Sequence, residues 1–565
     1  MKITHGFYGL LFFFGFKIFI NLNKENLDRN YFRFDDLINL FLIFFILTFI
    51  YTNKQRMIDN ETTRKFNLFN IALISTVVYY IYRTWVNLPY SFLHSDNVIS
   101  SLHVNRMIYF DLNVYEATWN EHTTLLIYIQ KYFIELLKFF GIKNSLLLYF
   151  LVFILFTLIG SLILVKLLSF FTDYKTIKYA IGGLYFIDSI GAGNRVLRFD
   201  TRSFGSLIMV SFIYFLYKYT YSKDLKFLYA TVVLGTLTIF NLESYSITIV
   251  SIFLIYIYLE KPNFKILRKL FLCFCSTLGI IVLFHFMTGQ LENLINLNIL
   301  FHIQSSREGG VNLLNAISGV EFFPGLNLYT ALFLIWPVFL FKYSYYLNNK
   351  NIIYLNAYLT GEVLHLILTG PRWIAYGQVM RIPLMIILCI YCNKFLINLE
   401  INKTFNNFKY EVLASLLMPI VLTAFIGGPI IFNQKIERQK EILLEESSRN
   451  EVMQVISKNL EGDSYFLWTE NKNWSWMLLE NNYLPATRMW LWVQAYAENK
   501  SYFSWSERWG LEKIKKFWIQ DIEKESINIF VIDKNFISLP DFINEYIENN
   551  SKKVICIENF CLYKK

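Results

Sequence analysis

The sequence predicts a mainly α fold: a polytopic transmembrane helical bundle of about thirteen spans, followed by one small water-soluble α/β domain at the C-terminus. Three observations predict it. The 565-residue chain is 55% hydrophobic and 17% charged, where a soluble domain is about 45–50% apolar and about 25% charged. The apolar excess is uneven: residues 1–432 are a string of apolar runs, and 433–565 read as ordinary soluble sequence. The formal net charge of +10 is carried mainly by lysines and arginines in the short gaps between runs. That pattern belongs to membrane topology, and no basic stripe suggests a nucleic acid partner.

A bilayer core requires about 20 mostly apolar residues per helix. The candidate runs are 6–19, 37–51, 68–86, 146–168, 179–190, 204–219, 228–240, 244–259, 270–287, 328–341, 352–368, 382–396 and 412–431. Several are short, so their ends are expected to extend into flanking residues or into protein-lined cavities. No small-residue cleavage site follows run 6–19, which is therefore read as a span.

Alternate gaps are basic: Lys54 to Lys65, Lys175 and Lys178, Lys218 to Lys226, Lys261 to Lys269, Lys342 and Lys350, and Lys394 to Lys409. All fall on one side if the N-terminus is cytoplasmic, and an odd number of spans then places 433–565 outside. The gap with Lys24, Arg29 and Arg33 departs from this rule. The N-terminus is thus expected in the cytoplasm and the C-terminal domain on the extracytoplasmic side.

The outer side receives two long loops, 87–145 and 288–327. Residues 101–119 mix apolar side chains with Arg106, Asp111 and Glu116, and 123–140 place Leu125, Ile129, Phe133, Leu136 and Leu137 on one helical face. Both segments are expected to be helices lying in the membrane interface, with an extra span in this loop as the alternative.

In the tail, 434–460 reads as a helix leaving the membrane, and 465–468 and 527–532 read as buried strands. Ser538-Leu-Pro-Asp541 opens a short helix through Glu548 with a cap, an early proline and an acid. Residues 554–557 and 560–563 form a hairpin in which Cys556 and Cys561 face each other, and an oxidising compartment would permit a disulfide there. The tail carries no nucleophile motif and no phosphate loop.

Ionisable groups at the outer surface are the candidates for chemistry. Asp96 follows the third run within a few residues, where a carboxylate could act as a general base or remain a solvated acid. Arg195, Arg198, Asp200 and Arg202 crowd the outer gap between the fifth and sixth runs, against the charge rule. An anionic ligand would explain them, because a guanidinium fork suits phosphate oxygens; lipid headgroups would serve as well. Arg372, in Thr369-Gly-Pro-Arg-Trp-Ile-Ala-Tyr376, makes the same case from a turn that carries no other charge. His94, His103, His122, His285, His302 and His365 map to the outer half. With Asp96, Asp111, Glu116 and Glu121 they could ligate a divalent cation such as Mg²⁺ or Mn²⁺, but no spacing among them is diagnostic. Arg307 precedes paired glycines, so its loop is a substrate lid or a surface turn.

Taken together these segments resemble the GT-C class of membrane glycosyltransferases, which use polyprenyl-phosphate sugars, and the dolichyl-phosphate-mannose-transferase-like group in particular. Ser95-Asp96-Asn97 stands where that group has its loop acid. Asp111-Leu-Asn-Val-Tyr115, Trp119-Asn-Glu-His122 and Leu125-Leu-Ile-Tyr128 are similar to its sugar-site segment, although Thr123 and Thr124 replace the usual prolines. Arg372 with Pro383 resembles its late "GR…HY…P" segment, with Tyr376 at the usual histidine and Gly377 at the usual tyrosine. Ala486-Thr-Arg488 and Ile527–Ile532 are similar to elements of its tail.

The resemblance implies inverting sugar transfer from a polyprenyl-phosphate donor to a glycan or glycolipid acceptor, with Asp96 as base. Arg372, Tyr376, Arg195, Arg198 and Arg202 would hold the donor phosphate. Asp111, Tyr115, Trp119, Glu121, His122, Asp200 and Arg307 would bind substrate. A transporter or flippase is the rival class, and a polymerase or ligase of lipid-linked saccharides is a third. The two halves of the membrane region show no repeat of the kind that transporters use.

Overall fold

The computed structural model describes residues 104–108, 111–114, 125–141, 145–187, 201–241, 245–295, 350–369 and 381–401 of the membrane region. In the tail it describes 464–468, 484–485, 518–523, 527–534, 541–557 and 560–565, with a few isolated positions besides. The predicted runs 6–19, 37–51, 68–86 (apart from helical Ile81), 328–341 and 412–431 lie outside the described residues, as does the predicted exit helix 434–460, apart from helical Lys458.

Eight of the predicted runs are helices: α2 Ser145–Leu168, α3 Lys175–Ile187, α4 Thr201–Ser222, α5 Leu225–Asn241, α6 Ser246–Glu260, α7 Phe264–Met287, α8 Lys350–Thr369 and α9 Arg381–Ile401. All eight extend beyond their apolar run at one or both ends, as the short runs required. Among the described residues, Leu148–Leu168 and Phe264–Met287 are long and apolar enough to cross a membrane by themselves. α7 turns most of its apolar surface outward, with Phe271, Ile280, Phe286 and Met287 each more than 60% exposed. Apolar side chains facing away from the protein suit a helix bathed in lipid.

Polar residues punctuate the helices where the apolar runs stop. Asn263 caps α7, its side chain accepting from the Ile266 N–H at 2.9 Å. Asp224 starts α5 by accepting from the Lys226 backbone at 3.0 Å. Hydrogen bonds from the Lys226 side chain and backbone hold the Asp224 carboxyl below its usual range. Lys261 ends α6 in a left-handed conformation, donating its N–H to Ile257 O.

Side-chain contacts order the helix ends. At one end, Glu260 of α6 accepts from Lys223 after α4 at 2.6 Å and from Lys350 of α8 at 2.8 Å. Tyr217 of α4 donates to Asn351 O at 2.7 Å, and Asn351 donates to the Tyr221 hydroxyl at 2.8 Å. Phe170, just past α2, stacks on Tyr221 with centroids 5.0 Å apart. Asn393 of α9 donates to Phe171 O at 3.0 Å. The predicted basic gaps around Lys175, Lys223, Lys261, Lys350 and Lys394 therefore share one end of the bundle, called here the basic end.

Residues 125–139 form the helix α1, Leu125–Phe139, inside the predicted 123–140 segment. Its buried face is Leu126, Ile127, Gln130 and Ile134, which differs from the expected stripe. Leu125, Ile129, Phe133 and Leu137 are partly buried at its margin, and Leu136 is 50% exposed. A helix at a membrane surface has two apolar directions, protein and lipid, so its apolar stripe is wider than the face it packs.

The tail holds a five-stranded mixed sheet in the order β2-β1-β3-β5-β4: β1 Ser464–Trp468, β2 Leu484–Pro485, β3 Ile529–Asp533, β4 Lys552–Ile557 and β5 Phe560–Lys564. β1 pairs in parallel with β2 and β3, and β5 pairs antiparallel with both β3 and β4. The uninterrupted apolar run of β3 suits its central place, with Ile529 to Ile532 buried on both faces. Helix α10, Asp541–Asn550, begins at the acid of the predicted start signal. Trp518, fully buried, packs edge-on against Phe466, Phe542 and Tyr546. Cys556 and Cys561 are register partners across the hairpin and form the expected disulfide.

Candidate functional site

The end of the bundle opposite the basic residues is where the predicted site segments are anchored. α4 begins there, α5 ends and α6 begins. Gly205 of α4 lies so close to this junction that an added Cβ would stand 2.5 Å from Tyr245 and 3.0 Å from the Asn241 amide. α8 runs antiparallel to α6 and ends there, because its start meets Glu260 while its residue Glu362 meets Thr248 near the start of α6. α3 ends there as well: Phe186 and Phe204 belong to one buried cluster. The segment carrying Arg195, Arg198 and Asp200 joins α3 to α4, and the one carrying Arg372 and Tyr376 joins α8 to α9. Both segments therefore leave the helices at the same end.

The described residues of the first long loop sit at this end too. α1 packs across α2 and α7, with Phe133 edge-on to Phe156 at 5.2 Å and Tyr128 edge-on to Phe284 at 5.0 Å. Val104, Met107, Leu112 and Val114 are buried in the same cluster as the start of α2, Phe204 and Ile208 of α4, and Leu294 after α7. Phe466, Trp518 and Phe530 of the tail belong to this cluster. A second cluster, from Leu164 to Ile390, runs along the helices and includes Leu168 and Tyr219 at the basic end and Tyr245 and Ile382 at the other.

Of the site residues expected from the sequence, Asp111 is fully described. It is solvent-exposed, with φ 49°, a left-handed conformation that aspartate tolerates better than most residues, and it lies 3.9 Å from Lys131 of α1. Arg202 lies in the first turn of α4, and nothing is described of its side chain. The N-terminus of this 22-residue helix adds its own partial positive charge to the neighbourhood of the outer arginines. Asp96, Tyr115, Trp119, Glu121, His122, Arg195, Arg198, Asp200, Arg307, Arg372 and Tyr376 lie outside the described residues. Among the described residues, no group of three or more His, Cys, Asp or Glu side chains could hold a metal ion.

The structure adds polar residues that sequence reasoning passed over. Glu362 is buried inside α8, and its carboxylate accepts a 2.6 Å hydrogen bond from Thr248 Oγ1. Its signal was available, since an ionisable residue inside an apolar run is costly and marks function by default. Asn241, Thr248, Tyr245 and Tyr358 are fully buried around the same level. In the loop, Arg106 is fully buried, with Asn105 beside it in sequence and Gln130 on the packed face of α1. These buried polar groups lie at the site end, whereas the ion pairs of Glu260 with Lys223 and Lys350 lie at the basic end.

No protein-family model matches the sequence, and no curated protein does. Among solved structures the chain is similar to ArnT from Cupriavidus metallidurans bound to undecaprenyl phosphate, at 10% identity, over 86% of this chain and 98% of that one, with a TM-score of 0.51. It is also similar to the apo oligosaccharyltransferase of Archaeoglobus fulgidus, at 11% identity over 81% and 70% of the two chains, with a TM-score of 0.44. A third likeness is to AglB of the same archaeon in complex with an inhibitory peptide and a dolichol-phosphate, at 11% identity over 81% and 69%, with a TM-score of 0.40. The likeness to ArnT runs over most of both chains and gives the fold, which is the GT-C fold.

Proposed function

We propose that this chain is an integral membrane glycosyltransferase that moves a sugar from a polyprenyl-phosphate donor to a glycan or lipid-linked acceptor. The observation that carries this reading is the likeness to ArnT, a protein seen with undecaprenyl phosphate bound, along 98% of that chain. The anchoring of the first long loop, the 188–200 segment and the 370–380 turn at one end of the bundle supports it. These are the segments on which the sequence put a base, several arginines and a sugar site.

In this reading the site end faces the periplasm of a bacterial inner membrane, the basic end and the N-terminus face the cytoplasm, and residues 433–565 form a separate domain covering the site. The donor enters from the lipid. Arg372 and Tyr376, with Arg195, Arg198 and Arg202, hold its phosphate. Asp111, Tyr115, Trp119, Glu121, His122, Asp200 and Arg307 bind the sugar and the acceptor.

Asp96 takes the proton of the acceptor hydroxyl as its oxygen attacks the anomeric carbon from the face opposite the phosphate. The bond from that carbon to the phosphate oxygen breaks, and the configuration inverts. The arginines stabilise the charge gathering on the departing phosphate, the kind of pre-set electrostatic stabilisation that contributes most in a site poor in water.

The test is transfer itself. Membranes carrying the chain, given a radiolabelled polyprenyl-phosphate sugar, should release label into an endogenous glycan or glycolipid, and polyprenyl phosphate should appear in equal amount. Movement of intact donor across the bilayer without release of polyprenyl phosphate would identify a flippase instead.

A further inference from the structure

Four cations stand together where α6 passes into α7. Lys261 ends α6, and Lys265, Arg268 and Lys269 follow in the first two turns of α7; all four are exposed. Spacings of three and four residues put Lys265, Arg268 and Lys269 on one stripe of the helix. Other cations of the basic end have acids beside them. Lys223 and Lys350 share Glu260, and Lys226 lies 2.7 Å from Asp224. Among the described residues, none of the four at the corner has a carboxylate within ion-pair distance.

The stripe leads directly onto lipid-facing surface. Phe271 and Leu272 are exposed, and from there to Met287 α7 buries only His285. From Lys269 to Met287 the helix rises about 27 Å, close to the thickness of a hydrocarbon core, about 30 Å. With that stretch in lipid, the four cations stand at headgroup depth. Tyr258 and Phe264, 72% and 79% exposed, flank them at the level where aromatic side chains meet the membrane surface. The topology rule asks for cations on this side of the membrane, but not for an outward-facing stripe of them. Fixed cations at this depth, with no acid to neutralise them, draw the nearest mobile anions, and those are lipid phosphates. A water-soluble acidic partner would have to displace lipid from the apolar surface beside them.

We propose that the α6–α7 corner binds the headgroup of an anionic phospholipid: Lys261, Lys265, Arg268 and Lys269 hold its phosphate, and the apolar face of α7 receives its acyl chains. The inference rests on the placement of α7 in a membrane, which belongs to the proposed function, and not on the donor, base or sugar site.

Quenching by brominated lipid tests it. The full chain carrying Phe264→Trp is reconstituted in phosphatidylcholine vesicles that contain a small fraction of lipid brominated in its upper acyl chain. That lipid is either phosphatidylglycerol or phosphatidylcholine. The fluorescence added by this tryptophan should report an apparent affinity for the phosphatidylglycerol about fivefold or more above that for the phosphatidylcholine, which is what one cation near the surface contributes. Lys261→Gln, Lys265→Gln, Arg268→Gln and Lys269→Gln together should bring the two lipids within about twofold of each other. The pairs Lys261→Gln with Lys265→Gln and Arg268→Gln with Lys269→Gln, which change only exposed side chains, should each fall between. Lys175→Gln with Lys178→Gln removes charge elsewhere at the basic end and should leave the preference intact. Equal affinities in the parent, or a preference that survives loss of the corner cations, would overturn the inference. So would an equal loss in Lys175→Gln with Lys178→Gln, because the attraction would then be a diffuse surface field. Sugar transfer is measured on the same vesicles: lipid preference without transfer keeps this site and removes the proposed function, and transfer without preference does the reverse.

Discussion

Lys350 Nζ lies 2.8 Å from Glu260 Oε1, so the start of α8 is tied to the end of α6 by an ion pair. Lys223 holds the other carboxylate oxygen at 2.6 Å, and the Glu260 side chain is only 9% exposed. One carboxylate thereby joins three helices at the basic end. Hydrogen bonds to a charged group of this kind contribute about 1.5–3 kcal/mol. Glu260→Ala should lower the melting temperature in detergent by the equivalent of about 2 kcal/mol. Lys223→Ala, which removes a partner that is half exposed and leaves Lys350 in place, should cost less than about 1 kcal/mol.

Close helix contacts at the site end make a second prediction. Gly205→Ala and Gly361→Ala each place a Cβ against atoms that cannot yield easily, Tyr245 in one case and the Thr248 backbone in the other. Each should destabilise the protein by about 1–3 kcal/mol. Gly279 of α7 has nothing within 4 Å of the corresponding position, so Gly279→Ala should melt no lower than the wild type. Thermal unfolding of the three variants in one detergent checks the contrast.

The Cys556–Cys561 bridge closes a short loop, which in the chain-entropy account is worth about 2 kcal/mol. Thiol labelling of unreduced, denatured protein should count Cys273, Cys275, Cys389 and Cys392 and leave the hairpin pair unlabelled. Cys561→Ser should make the tail more susceptible to proteolysis at moderate temperature.

At the end of α1, Phe139 is 84% exposed and Phe140 69% exposed, with their rings edge-on at 5.7 Å. Two large apolar rings presented together at a membrane surface are expected to enter the lipid. In a variant that carries Phe139→Trp, lipids brominated in their upper acyl chain should quench the fluorescence added by this tryptophan. No change in that increment would place α1 away from the bilayer.

Much of this architecture was legible in the sequence, for definite physical reasons. A helix such as α2 declares itself because lipid demands about 20 apolar residues in a row, and β3 because a strand covered on both faces is apolar throughout. The hairpin with its cysteines was legible because register places 556 opposite 561. The packed face of α1 was not, since Ile134 toward protein and Leu136 toward lipid are the same kind of residue to a hydropathy scale. Gly205 and Gly361 gave no hint either, because a close approach is a property of two helices at once. Glu362 was visible as an acid in an apolar run, yet its partner Thr248 stands more than a hundred residues away, and only the fold joins them. For the site, the sequence supplied residues and the structure supplied their common anchorage: Asp111 stands exposed beside α1, and Arg195, Arg372 and Asp96 belong to segments outside the described residues.

Asp96→Asn in a membrane transfer assay decides whether Asp96 is the base of sugar transfer from a polyprenyl-phosphate donor. Transfer should fall by about 10²–10⁴-fold while the amount of protein in the membrane and its melting temperature are unchanged. Full transfer activity in this variant would show that Asp96 is not the base.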